Sequence, residues 1–150
     1  MVRTPRNIGL WSITLATMRP AATLWSWTAR SMALGAAYDA AFAAAILLFP
    51  DTASALLRIS LPPDPVYFRL VAVFLLMLAA MYLLPAREPR RYQGVVLVAA
   101  GGRLAGFLYL AWAWSGGAPP AFLGLACADL LFALFHAALL TAARRTEAAR

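Results

Sequence analysis

Lysine is absent from the 150 residues, cysteine and histidine occur once each, and only six residues are acidic. A single cysteine, Cys127, excludes an intrachain disulfide and a thiolate metal cluster. It sits inside an apolar run, where a thiol is expected to behave as a small buried hydrophobe. One histidine and a few widely spaced acids supply too few donors for a metal site, so none is expected. No nucleophile–base arrangement and no phosphate-binding loop stands in the sequence, which points away from an enzyme. The first apolar stretch is interrupted by Arg19 and Pro20 and lacks a small-residue cleavage pattern, so no cleavable leader is expected.

What is present is apolar. Hydrophobic residues make up 63% of the chain, and the mean hydropathy is +0.74. Both values are too high for a soluble domain of this size and place the chain among polytopic membrane proteins. The net charge of +7 would raise nucleic-acid binding in a soluble protein. Here most of the arginines stand at the ends of apolar runs, where the positive-inside rule accounts for them, and no nucleic-acid partner is expected.

Residues 1–31 read as a basic tail followed by an interrupted apolar segment, 10–27. Trp11, Leu15, Met18, Ala22 and Trp25 fall on one helix face. Tryptophans suit the headgroup region, so an amphipathic interfacial helix kinked at Pro20 is preferred, with Trp11, Trp25 and Trp27 as interfacial or partner contacts. A partner-binding arm and a fifth span are the alternatives. Four spans are expected at about 32–49, 66–84, 94–114 and 121–142, forming a bundle over 32–143, with a basic tail at 144–150. Asp51 is suited to cap a short surface helix after the first span. The second span carries no ionisable carboxylate, amine or imidazole from Leu70 to Leu84 and is expected to be the most lipid-exposed. The fold class is therefore all-α, a polytopic four-helix membrane bundle with an N-terminal interfacial helix.

Arginines in the N-terminal region, the middle loop (Arg87, Arg90, Arg91) and the tail put both termini on the cytoplasmic side. Depth then follows from about 1.5 Å of rise per residue. Asp39 and His136 lie about 10 Å deep, Arg103 about 13 Å, and Asp129 about 21 Å, with Tyr109 at a similar level. A buried polar layer of Asp39, Arg103, Asp129, His136 and Tyr109 between the first, third and fourth spans is expected, with Asp39 as the preferred partner of Arg103. Such a pair either locks three helices together or forms a polar or proton-linked pocket. His136 by itself reads as a hydrogen-bonded core residue. Gly102 and Gly106 form a small-residue packing motif on the third span, and Ala33, Ala37 and Ala41 a small-residue ridge on the first.

On Tyr38, Phe49-Pro50, Leu61-Pro62-Pro63, Tyr82 with Ala86-Arg87-Glu88-Pro89, and Gly102-Arg103 with Gly106, the stretch from about residue 38 to 110 resembles small, largely uncharacterised bacterial four-span membrane proteins, loosely the DoxX-type bundles. Such relatives often carry lysine where Arg103 stands, and their second span is commonly glycine-rich, whereas this one is rich in alanine and leucine. The resemblance implies the four-span fold and a bacterial inner membrane, and no established activity.

The first functional expectation is a non-enzymatic integral membrane protein, an accessory or scaffold subunit of a larger complex. The alternative is a small-molecule, lipid or quinone binder, or a transporter, using the Arg103 layer. No cofactor is expected beyond a possible bound lipid or quinone. The expected partners are membrane lipids and other membrane subunits or further copies of the chain.

Overall fold

The computed structural model describes the backbone of residues 8–61 and 63–149, with side chains from residue 21 onward. Five helices make up the described chain: α1 (Ile8–Leu48), α2 (Pro50–Leu57), α3 (Val66–Arg87), α4 (Gln93–Ser115) and α5 (Pro120–Ala148). No strand occurs among the described residues. Four helices are long and apolar enough to cross a membrane, over Ala21–Leu48, Val66–Arg87, Gln93–Ser115 and Pro120–Ala148. The all-helical, multi-pass bundle expected from the sequence is the one observed.

The start of the first span differs. No break occurs near Met32; α1 runs as one 41-residue helix, so the segment 10–27 continues directly into the span. At about 1.5 Å per residue α1 extends roughly 60 Å, about twice the hydrocarbon thickness of a bilayer. Its path has a packing cause from residue 21 onward. Trp25 and Thr28 are buried within the bundle, which holds this segment on the axis of the span. Trp11 lies outside the described side chains.

The helix ends follow from local chemistry. Pro50 cannot donate to the ladder of α1, yet it is tolerated at the first position of α2, where the N–H would be unpaired anyway. Asp51 therefore sits inside the first turn of α2 and does not cap it; Phe49 holds the cap position. There its charge still favours the positive helix end. Arg58 closes α2 in a left-handed conformation (φ 56°), its N–H bonded to the Ala55 carbonyl and that of Ile59 to the Ser54 carbonyl. Gly117 (φ 99°) turns α4 into α5, a backbone state that glycine adopts without steric cost. Pro120 then starts α5.

α1 packs along α3 and α4 packs along α5; the two pairs join chiefly through α1 and α5, and α3 meets α4 only sparsely. On α1 the buried stripe is Met32, Ala36, Asp39, Ala43 and Ile46; on α5 it is Ala126, Ala133, His136, Leu140 and Ala143. These positions recur at intervals of three, four or seven, one face of a helix. The seam is rich in alanine, while Leu, Val, Phe and Met point outward. That distribution suits a solvent as apolar as leucine, where close backbone approach provides the association energy. The expected ridge of Ala33, Ala37 and Ala41 is exposed on the outer face of α1. It lies one position off the buried stripe. Cys127 is likewise exposed and not in the core. Over its apolar stretch α3 is 17% buried, against 39% for α1 and 22% for both α4 and α5, so α3 is the least enclosed span, as its unbroken apolar sequence suggested.

The core consists of two apolar clusters. One gathers Trp25, Met32, Ala36, Ala79, Tyr82, Val96 and Leu140; the other gathers Ala43, Ile46, Ala53 and Ala72. On α1, Asp39 lies between Ala36 of the first cluster and Ala43 of the second, and the polar layer separates them.

Candidate functional site

Arg103 stands in the middle of α4, 8% exposed, and divides its guanidinium between two helices. Nη2 donates to Asp39 Oδ1 of α1 at 2.5 Å, and Nη1 donates to Asp129 Oδ1 of α5 at 2.7 Å. Burying a charge is costly unless it is paired, and here two charge-assisted bonds provide the pairing. Asp39 was expected as the partner and is one. Asp129, a member of the expected layer but not the preferred partner, is a second partner of Arg103. Three rings surround the guanidinium: Phe132 at 5.0 Å, Tyr38 at 5.3 Å and Tyr82 at 5.8 Å from its central carbon. All lie within the range at which an aromatic face attracts a cation.

The triad is left incomplete in two respects. It sets two carboxylates against one arginine, and two of its buried atoms, Asp39 Oδ2 and Arg103 Nε, have no hydrogen-bond partner. Both residues, with Asp129, line a cleft of about 230 Å³ between α3 and α4, walled by Leu75, Leu78 and Met81 on one side and Val98 and Gly102 on the other. The cleft exists because α3 and α4 barely touch. Gly102 has open space where a Cβ would be, so it widens the cleft and is not a packing glycine. Gly106 is one: a Cβ there would lie 2.5 Å from Asp129 Oδ2, so its missing side chain is what lets the carboxylate reach Arg103.

No protein-family model, curated protein or solved structure matches this chain.

His136 is fully buried but belongs to a neighbouring contact, with Nδ1 3.1 Å from Ser31 Oγ of α1. Ser31 donates its hydroxyl hydrogen to the Thr28 carbonyl at 2.9 Å, so Nδ1 carries the imidazole hydrogen and donates to the serine. Nε2 is then an acceptor, buried without a partner. His136 thus pins α5 to α1 as a hydrogen-bonded core residue, and no hydrogen bond joins it to Arg103. Tyr109 is 63% exposed and takes no part in the layer.

A second polar cluster ties the bundle where α3 turns into α4. Trp25 Nε1 donates to Glu147 Oε1 at 2.7 Å, and Arg90 Nε lies 3.2 Å from the same oxygen. Arg144 Nε donates to Gln93 Oε1. Trp25, expected at the interface, is therefore buried and hydrogen-bonded. Trp27 is exposed, with the Arg30 guanidinium 5.0 Å from its ring centroid. Sequence reasoning missed Ser31 and Phe132 as members of these contacts. Phe132 lies between Asp129 and His136 at a spacing of three and four, and that was the signal available for it.

Proposed function

We propose that this integral, multi-pass membrane protein binds a small amphipathic molecule, a lipid or a quinone, in the cleft between α3 and α4, without covalent chemistry of its own. The observation that carries the reading is that two of the residues lining the cleft, Asp39 and Arg103, each keep a buried polar atom without a partner. Asp39 Oδ2 accepts a hydrogen bond and Arg103 Nε donates one, so the lining suits a group with both a hydroxyl and a carbonyl. The walls suit an apolar body. The cleft is smaller than the roughly 300–1,000 Å³ of drug-sized sites, so it takes one ring or headgroup and leaves the tail among the bilayer chains. Charge asymmetry supports both termini facing the cytoplasm of a bacterial inner membrane, and the likeness to the DoxX-type bundles belongs with this reading.

The test is solvent extraction of the purified chain followed by mass spectrometry. A defined apolar molecule should co-purify and should be lost from Gly102→Leu, which fills the cleft. No bound molecule, or the same amount in the variant, sinks the reading. An accessory or scaffold subunit is the second reading, favoured by the exposed small-residue ridge Ala33, Ala37 and Ala41 on α1, a surface shaped for another helix. Under that reading a protein co-purifies in fixed stoichiometry in mild detergent, and its yield falls in Ala37→Leu.

A further inference from the structure

At the α3–α4 end of the bundle, a surface pocket of about 600 Å³ opens between the loop and α1. Arg87, Arg90 and Arg91 line it together with Glu88, and Trp25 and the small side chains of Ala22, Ser26 and Ala29 form the opposite wall. The small residues leave the space, while Arg87 at the end of α3 and Arg90 and Arg91 in the loop before α4 supply the charge.

The arginines differ in their engagement. Arg90 is held by Glu147 at 3.2 Å, with its guanidinium 5.9 Å from the Trp25 ring. Arg91 reaches Glu88 only at 3.4 Å, and both side chains are more than half exposed. An exposed pair of that kind contributes about 0–1 kcal/mol and is readily exchanged for a better anion. Arg87 has no hydrogen-bond or ion-pair partner among the described residues. Two guanidinium groups are thus free or weakly held at the end of two spans, where bilayer phosphates lie. Guanidinium presents a planar fork of donors that matches phosphate oxygens.

We propose that this pocket binds the headgroup phosphate of an anionic phospholipid, with Arg87 and Arg91 as the phosphate ligands and Arg90, fixed by Glu147, orienting the loop. The acyl chains run down the apolar outer surfaces of α1 and α3. The site is separate from the cleft, and its occupancy does not depend on what the cleft holds.

The experiment is native mass spectrometry of the purified full chain with added phosphatidylglycerol or phosphatidylcholine. The parent should prefer phosphatidylglycerol at least tenfold. Juxtamembrane arginines contribute about 1 kcal/mol each, so the Arg87→Ala/Arg91→Ala variant should lose about 30-fold in phosphatidylglycerol affinity. Arg145→Ala, an exposed arginine at the end of α5 outside this pocket, should lose no more than about fivefold, the general share of one juxtamembrane arginine. Equal binding of the two lipids overturns the proposal, as does an unchanged preference in the double variant or a loss in Arg145→Ala as large as that of the double variant. Displacement of the lipid by inorganic phosphate, but not by chloride at equal ionic strength, overturns the assignment to lipid. If the double variant does not fold, Arg87→Gln alone should lose about fivefold, and its failure to do so is equally decisive.

Discussion

Replacing Arg103 and replacing one of its acids should have very different costs, because the arginine serves two carboxylates. In Arg103→Leu both Asp39 (1% exposed) and Asp129 (16% exposed) lose their counter-charge together. Removing one partner of a buried pair typically destabilises by about 3–5 kcal/mol, and the carboxylates must take up protons or water to survive. In Asp129→Asn the amide oxygen still accepts from Nη1, and Arg103 with Asp39 becomes a matched pair of one charge each. The change should stay within about 1 kcal/mol of the parent, the scale of one net hydrogen bond. Replacing Arg103, Asp39 and Asp129 together by apolar residues of similar volume should recover most of the loss, since buried ion pairs are often no better than a packed hydrophobic substitute. The assay is reversible unfolding of the purified chain in mixed micelles, arranged as double-mutant cycles for Arg103 with each acid. An Arg103→Leu variant as stable as the parent refutes the reasoning, and so does Asp129→Asn at the same cost as Arg103→Leu.

Gly106→Ala should displace the Asp129 carboxylate and destabilise by about 1–3 kcal/mol, an effect that Asp129→Asn in the same chain should not abolish, since the amide meets the same methyl. Thermal unfolding of the two single variants and the double checks it. Arg58→Gly should stabilise by about 1 kcal/mol by relieving the left-handed backbone, read in the same unfolding assay. Ser31→Ala should cost about 1–3 kcal/mol by leaving His136 Nδ1–H buried without an acceptor, and an unchanged stability would refute the tautomer assigned above. Cysteine labelling in intact cells should reach position 115 from outside and leave position 90 protected, after removal of Cys127; labelling at 90 reverses the topology.

The four spans and the pairing of Arg103 with Asp39 were legible because depth carries them: the two differ by only about 3 Å in level by helix rise, whereas Asp129, about 8 Å from Arg103 by the same count, was not legible as its second partner. Azimuth was not legible in the same way. Tyr109 has the right depth, but six residues beyond Arg103 it lies about 120° around α4 and faces out, whereas Asp129 and His136, seven apart, share a face. On α1 nearly every face offers alanines four apart, so spacing could not choose between Ala33, Ala37, Ala41 and Ala36, Ala43. Asp39 could have chosen: the buried stripe is the one that contains it, because a charged side chain in a span must turn inward. Trp25 was misjudged for a related reason. Its place depends on Glu147, 122 residues away, and no local pattern announces that bond.

The division of Arg103 between α1 and α5 also bears on how the chain enters its membrane. α4 and α5 are joined by the short turn at residues 116–119, and Arg103 and Asp129 already face each other across that hairpin. The hairpin is therefore electrically balanced within the bilayer before it meets anything else. An arginine delivered on a lone helix would face the hydrocarbon with its full charge; delivered with α5 it travels as part of a neutral dipole. Asp39 on α1, made earlier in the chain, has its counter-charge on α4. In the assembled bundle the guanidinium's second amino group meets Asp39. α4 and α5 thus complete the charge of α1, which precedes them in the chain.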